Sequence, residues 1–208
     1  MDFFHDKAGS LCIKAAKYIA KMMDIYTCQF GVPHSHRVHL PAEANHHSQL
    51  DVVELFDMEG MQQYQSLIGM LQWIISIGRF DVQTAVMTLS SFRACPRRGH
   101  LDRAKRIFGY IRKFDNATIR VRTDIPDYSG LPEHYIDWST SVYGDCKEVL
   151  PTDAPVPLGR PVLTTTYVDA NLMHDLLSGK SVTGILHLLN KTPIDWYSKK
   201  QATVETAT

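Results

Sequence analysis

Residues 123–162 hold six of the chain's ten prolines: Pro126, Pro132, Pro151, Pro155, Pro157 and Pro161. Each fixes its own φ, removes a backbone donor and pushes the residue before it out of the helical region. No helix or central strand runs through such a stretch. With several acids among the prolines, it reads as a Pro-rich linker or insertion. The 208 residues therefore divide into a part before it, 1–122, and a part after it, 163–208. At 44% hydrophobic and 21% charged residues the composition is that of a globular chain, so the chain is expected to bury a core.

Ahead of the prolines, apolar residues recur mainly at helical spacing. Phe3-Phe4 and Leu11-Cys12-Ile13 flank Lys7-Ala8-Gly9-Ser10, which predicts a hairpin over residues 1–13. Ala15, Tyr18, Ile19, Met22 and Met23 predict a helix from about Lys14 to Gln29, stopped by Gly31-Val32-Pro33. Leu67, Ile68, Leu71, Ile74 and Ile75 predict a second, from Glu59 to about Ile77. A third starts at Asp81, whose charge suits a helix N-terminus, and ends at Cys95-Pro96. The fourth, from about His100 to Phe114, carries Leu101, Ala104, Ile107, Phe108 and Ile111 on one stripe. Asn116 to Arg122 alternates as a strand.

Lys plus Arg and Asp plus Glu both number 22, so bulk charge points to no partner. The distribution does. Between Arg93 and Arg122 ten basic residues face only Asp102 and Asp115. On the fourth helix Arg98, Lys105, Arg106, Arg112 and Lys113 fall opposite the apolar stripe and are expected to share one exposed face. A solvated face normally mixes signs, so the lack of acids favours a polyanion-binding surface; plain solvation is the other reading.

The remaining signals exclude more than they assign. No apolar run approaches the roughly 18 residues of a membrane span, and Met1 to Asp6 has neither a basic nor an apolar leader region, so an intracellular, reducing compartment is expected. Cys12, Cys28, Cys95 and Cys146 form no C-x-x-C pair and read as free thiols. His34, His36, His39, His46 and His47 crowd the 33–50 loop. Without thiolates, adjacent carboxylates or an i, i+4 pair on a helix, they read as solvated loop histidines rather than metal ligands.

After the prolines the period changes to two. Val162 to Asp169, Ser181 to Leu189 and Ile194 to Ser198 read as three antiparallel strands, with turns at Leu177-Ser178-Gly179-Lys180 and Asn190-Lys191-Thr192-Pro193. The fold class is thus α+β. The sequence stops before a helix that would cover this sheet, so truncation is expected, with the sheet loosely ordered or self-associating. Asp169 closes the β-branched run Thr164-Thr165-Thr166-Tyr167-Val168; in isolation such an Asp is a turn former. A two-metal phosphodiesterase needs several carboxylates, and the nearest further candidate is Asp175, placed in the following turn.

Tyr167-Val168-Asp169-Ala170-Asn171, Gly179-Lys180-Ser181-Val182-Thr183-Gly184 and Pro193-Ile194-Asp195-Trp196-Tyr197-Ser198-Lys199-Lys200-Gln201 together resemble the ribonuclease H region of copia-type retrotransposon Gag-Pol polyproteins. Upstream, Tyr64-Gln65-Ser66-Leu67-Ile68-Gly69, Arg79-Phe80-Asp81-Val82 and Pro96-Arg97-Arg98-Gly99-His100 resemble the segment joining that family's reverse transcriptase palm to its nuclease. The resemblance implies a palm end and a helical thumb- or connection-like segment over 1–122, and the first antiparallel strands of a ribonuclease H-like fold over 163–208. It implies that Asp169 is the first catalytic, Mg2+-binding carboxylate, with Asn171 standing where the family often has a second, non-essential Asp. It also implies, as partners, an RNA–DNA hybrid or other nucleic acid and the remainder of the polyprotein, with no membrane.

The chain departs from the family pattern in its carboxylates. Glu205 sits too early for the next catalytic Glu, and the polymerase's paired aspartates are missing, so neither active site is complete. The expected function is nucleic-acid binding by a fragment of a reverse transcriptase/ribonuclease H, through Arg98, Lys105, Arg106, Arg112 and Lys113, with no catalysis of its own. The alternative is a non-catalytic protein-interaction module with a solvated basic helix.

Overall fold

The computed structural model describes residues 1–35, 38–43, 47–132, 142, 151–156 and 158–204; His36, His46, Cys146 and Glu205 lie outside these. The N-terminal hairpin forms from β1 (Asp2–His5) and β2 (Leu11–Lys14), with Phe3 opposite Ile13. Asp6 makes the turn, its Oδ1 accepting the amides of Ala8 and Ser10, while Gly9 takes the positive φ the turn requires. Helix α1 (Ala16–Phe30) follows and ends at Gly31.

Helix α2 (Met58–Ser76) is started by Asp57, whose carboxylate accepts the Gly60 amide at 2.8 Å. Its buried stripe runs Tyr64, Leu67, Ile68, Leu71, Ile74 and Ile75, and α1, α3 (Gln83–Ser90) and α4 (Arg98–Lys113) contribute to the core around it. The expected stripe of the fourth helix, Leu101, Ala104, Ile107, Phe108 and Ile111, is buried throughout. Two α2 side chains also tie down the end of α3 and the turn after it: the Tyr64 hydroxyl donates to Leu89 O at 2.7 Å and Gln65 Nε2 to Arg93 O at 2.9 Å.

Two expectations are corrected here. Asp81 does not serve as a helix-start charge. It lies in a short 3-10 turn, Phe80–Val82, where it takes a two-pronged ion pair from Arg79 at 2.9 and 2.8 Å. Arg79 is 2% exposed, and a buried guanidinium demands a carboxylate more strongly than a helix terminus does. Tyr110 of α4 also hydrogen-bonds Asp81, and burial together with that carboxylate raises the tyrosine's pKa. The strand expected over 116–122 shrinks to β3 (Ile119–Arg120), which pairs with Cys12 and Ile13 and completes a sheet in the order β1-β2-β3. Two residues on, the backbone leaves for the other sheet: the Arg122 amide donates to Thr192 Oγ1 at 2.7 Å, and that hydroxyl donates to Arg122 O at 3.1 Å.

The described residues of 123–162 contain neither helix nor strand. Beyond them β4 (Thr164–Asn171), β5 (Val182–Leu189) and β6 (Thr192–Lys200) form an antiparallel sheet in that order. Asn190 takes a positive φ in the tight β5–β6 turn, and its side chain ties Thr123 O and the Leu163 amide to that turn. Pro193 is tolerated because β6 is an edge strand, with a register shift beside it. Among the described residues no helix of the sheet's own covers it; instead it docks on the helical part. Trp196 Nε1 donates to Ile75 O at 3.1 Å, and its ring lies 5.1 Å from that of Phe80. Among the described residues the architecture is α+β, with four α-helices and two small antiparallel sheets, and no described helix is long and apolar enough to cross a membrane.

Candidate functional site

The basic face of α4 is not bare. Gly109 is three or four residues from each of Lys105, Arg106, Arg112 and Lys113, which puts it in the middle of their stripe. It is buried, because the loop after α1 crosses the helix there; a Cβ on residue 109 would overlap the His34 carbonyl oxygen. Residues 39–43 of the same loop lie against the stripe. Arg106 donates to Glu43 at 2.8 Å and to Leu40 O at 3.2 Å, and Lys113 Nζ stands 3.3 Å from His39 Nδ1. Lys105 lies over the Phe30 ring at 4.9 Å.

The N-terminal turn of α4 is engaged by the segment before α2. Arg98 pairs with Glu54 at 3.1 Å, both groups well exposed. Arg103 pairs with Asp51, whose carboxylate is only 3% exposed and also accepts the Val53 amide at 2.9 Å. Burial works to raise the Asp51 pKa, yet the Arg103 hydrogen bond and the Val53 amide hold it below the usual carboxylate value. Gly99 makes the approach possible, since a side chain there would collide with Asp51. Beside it His100 is buried: the Arg97 amide donates to Nδ1 at 3.1 Å and Nε2 faces Ser48 O at 2.9 Å. Burial lowers its pKa, and these contacts require the neutral ring with its proton on Nε2.

Of the five basic residues expected on one open face, Arg98 and Arg106 thus hold carboxylates, Lys105 and Lys113 are half-buried, and Arg112 is exposed with no ion-pair partner among the described residues. The acids missing from the basic stripe come from elsewhere in the chain. Helical periodicity could not show this, because Glu43, Asp51 and Glu54 belong to irregular segments. The one available signal was a glycine at the centre of a basic stripe.

Asp169 sits in β4 opposite Gly184, which sits opposite Ser198 of β6. Trp196 shares that face by two-residue alternation, so Asp169 lies on the side of the sheet that turns toward α3. A depression of about 380 Å3 opens there, lined by Thr84, Gln83, Asp169 and Gly184 among others. Asp169 is exposed. Asn171 is committed elsewhere, its amide 3.0 Å from His174 Nδ1. Asp175 lies in the turn, as expected, and is committed too: it accepts the Leu177 and Ser178 amides and pairs with Lys200 at 2.7 Å. Burial works against its ionisation, but Lys200 and those amides bring its pKa down to about 2. No group of three or more His, Cys, Asp or Glu side chains that could hold a metal gathers among the described residues. Of the two or three carboxylates that the Mg2+ pair implied by the resemblance needs, the described residues place one, Asp169, at this depression.

A transposon Ty5-1 protein of Saccharomyces cerevisiae is 26% identical to this chain over 145 residues, 69% of the chain and 35% of that protein. The match thus spans about a third of the length of the curated relative. No family model matches the chain, and no solved structure matches it. Over two thirds of its length, then, the chain is similar to a transposon protein.

Proposed function

We propose that this chain is part of a copia-type retrotransposon reverse transcriptase/ribonuclease H and that it holds the phosphate backbone of an RNA–DNA hybrid along α4. The observation that carries the reading is the likeness to a transposon protein over 145 residues. The motif residues behind the family resemblance also act as one set, since Tyr64, Arg79, Asp81 and Trp196 close the helical part and dock the sheet on it. Asp169 is the carboxylate this part contributes to the nuclease of the intact polyprotein. Binding is to phosphates, without base readout, and it weakens steeply with salt.

A salt titration of anisotropy with a labelled RNA–DNA hybrid tests the reading. Each phosphate contact contributes a slope of roughly −0.9 in log K against log salt for B-DNA. Arg112→Ala with Lys113→Ala, two cations that hold no carboxylate among the described residues, should flatten the slope by about two units. An unchanged slope would favour the second reading, a protein-interaction module. The specific observation on its side is that Arg98, Arg103 and Arg106 already pair with Glu54, Asp51 and Glu43.

A further inference from the structure

We propose that residues 38–43 and 47–54 form an autoinhibitory strap, whose carboxylates Glu43 and Glu54 occupy on α4 the positions that nucleic-acid phosphates take. The inference rests on the nucleic-acid reading above and adds an internal competitor to it.

The three ion pairs that the described residues form between strap and helix are unequal. Asp51 is the anchor: 3% exposed, bonded to Arg103 and to the Val53 amide, and set over a glycine that admits no side chain. Breaking it would leave a nearly buried carboxylate without its cation. Glu43 and Glu54 are 53% and 73% exposed, and their pairs with Arg106 and Arg98 are screened by water. A phosphate oxygen offers either arginine the same charge and better two-pronged geometry, so these two pairs exchange at little cost while the anchor stays. At the other end of the strap Val38 packs beside Gly109, where a Cβ would meet its side chain at 3.5 Å. Arg112, exposed and unpaired among the described residues, is where an incoming backbone makes first contact.

Counterion arithmetic gives the device a signature. An arginine that leaves a glutamate for a phosphate releases a cation from the nucleic acid but exposes a carboxylate that collects one. That contact adds nearly nothing to the salt slope. An arginine with no internal partner contributes its full share, roughly −0.9.

The experiment compares the whole chain with Glu43→Gln/Glu54→Gln, two near-isosteric changes at exposed positions, using a labelled RNA–DNA hybrid from low salt to about 0.2 M. A charge-matched control, Asp24→Asn/Glu59→Gln, makes the same change in net charge on α1 and α2, outside the strap's own residues. The expected result is ~3- to 10-fold tighter binding near 0.1 M salt, the combined weight of two exposed ion pairs. The slope should also steepen by about two units, with the control leaving it unchanged. Equal slopes in the Gln variant and the control, with binding present in both, would overturn the strap and leave the nucleic-acid reading standing. Absence of hybrid binding in every variant at low salt would overturn both.

Discussion

In α2, six side chains from Tyr64 to Ile75 are withdrawn from water, and three other helices share their core. In β4, seven of eight residues stay exposed, and β5 is half-buried along its whole length. The helical part is thus held by packing, in which each residue contributes a little and many contribute. The sheet is held by a short set of directed ties: Trp196 to Ile75, Thr192 to Arg122, Asn190 to Thr123 and Lys200 to Asp175. Damage to the first kind of structure spreads through the core, whereas damage to the second stays local and depends strongly on which residue is touched.

The sharpest way to break the helical part is through its charged centre. Asp81→Ala leaves Arg79 buried without its carboxylate and should cost ~3–5 kcal/mol in urea unfolding followed by circular dichroism. Arg79→Met combined with Asp81→Leu should recover most of that loss; a single mutant within about 1 kcal/mol of the parent would show that the pair does not close this core. Next comes Trp196→Ala, expected to cost ~2–3 kcal/mol for a half-buried ring and its hydrogen bond. Hydrogen exchange is the proper readout, with protection of residues 182–189 falling while residues 98–113 keep theirs. Equal loss in both segments would mean that the two parts unfold as one.

Smaller still is Asp175→Asn, and here pH gives the signature. The carboxyl ionises near 3.9 in an unfolded chain and at about 2 when folded, so its stabilisation is complete above about pH 4 and disappears as pH falls through about 2. The variant should be ~1–2 kcal/mol less stable at pH 7 and indistinguishable from the parent at about pH 1, below the folded value; a difference that persists there would point to packing, not charge. Least of all, Val168→Lys on the uncovered face of β4, at a position 66% exposed, should change stability by less than about 0.5 kcal/mol.

The same contrast explains what could be read without coordinates. Helices surfaced in the sequence because their buried stripes are nearly continuous, as from Leu101 to Ile111, and the three β-branched and apolar runs surfaced as strands. What stayed hidden depends on partners far along the chain. The role of Asp81 follows from the burial of Arg79, and the brevity of β3 follows from the pull of Thr192 on Arg122. The covered state of α4 depends on acids from segments with no period at all. For Asp169 the sequence supplied strand and position, while the depression between it and Thr84 needed the docking of β6 on α3, which no local pattern encodes.

The hydrogen bond from Trp196 to Ile75 joins residues 121 apart in sequence, whereas Tyr64 and Leu89, which tie α2 to α3, are 25 apart. Closing the longer loop costs ~1.4 kcal/mol more in chain entropy, and the reward for it arrives only when both surfaces already exist. The helical part is therefore the nucleus and sheet docking a late event. Pulse-labelled exchange during refolding should protect residues 101–111 before residues 182–189. On the ribosome the order is the same, since Ile75 and Phe80 are exposed long before Trp196 is made. For that interval a newly made chain carries an open apolar seat, and the speed of synthesis sets how long it stays open to other chains.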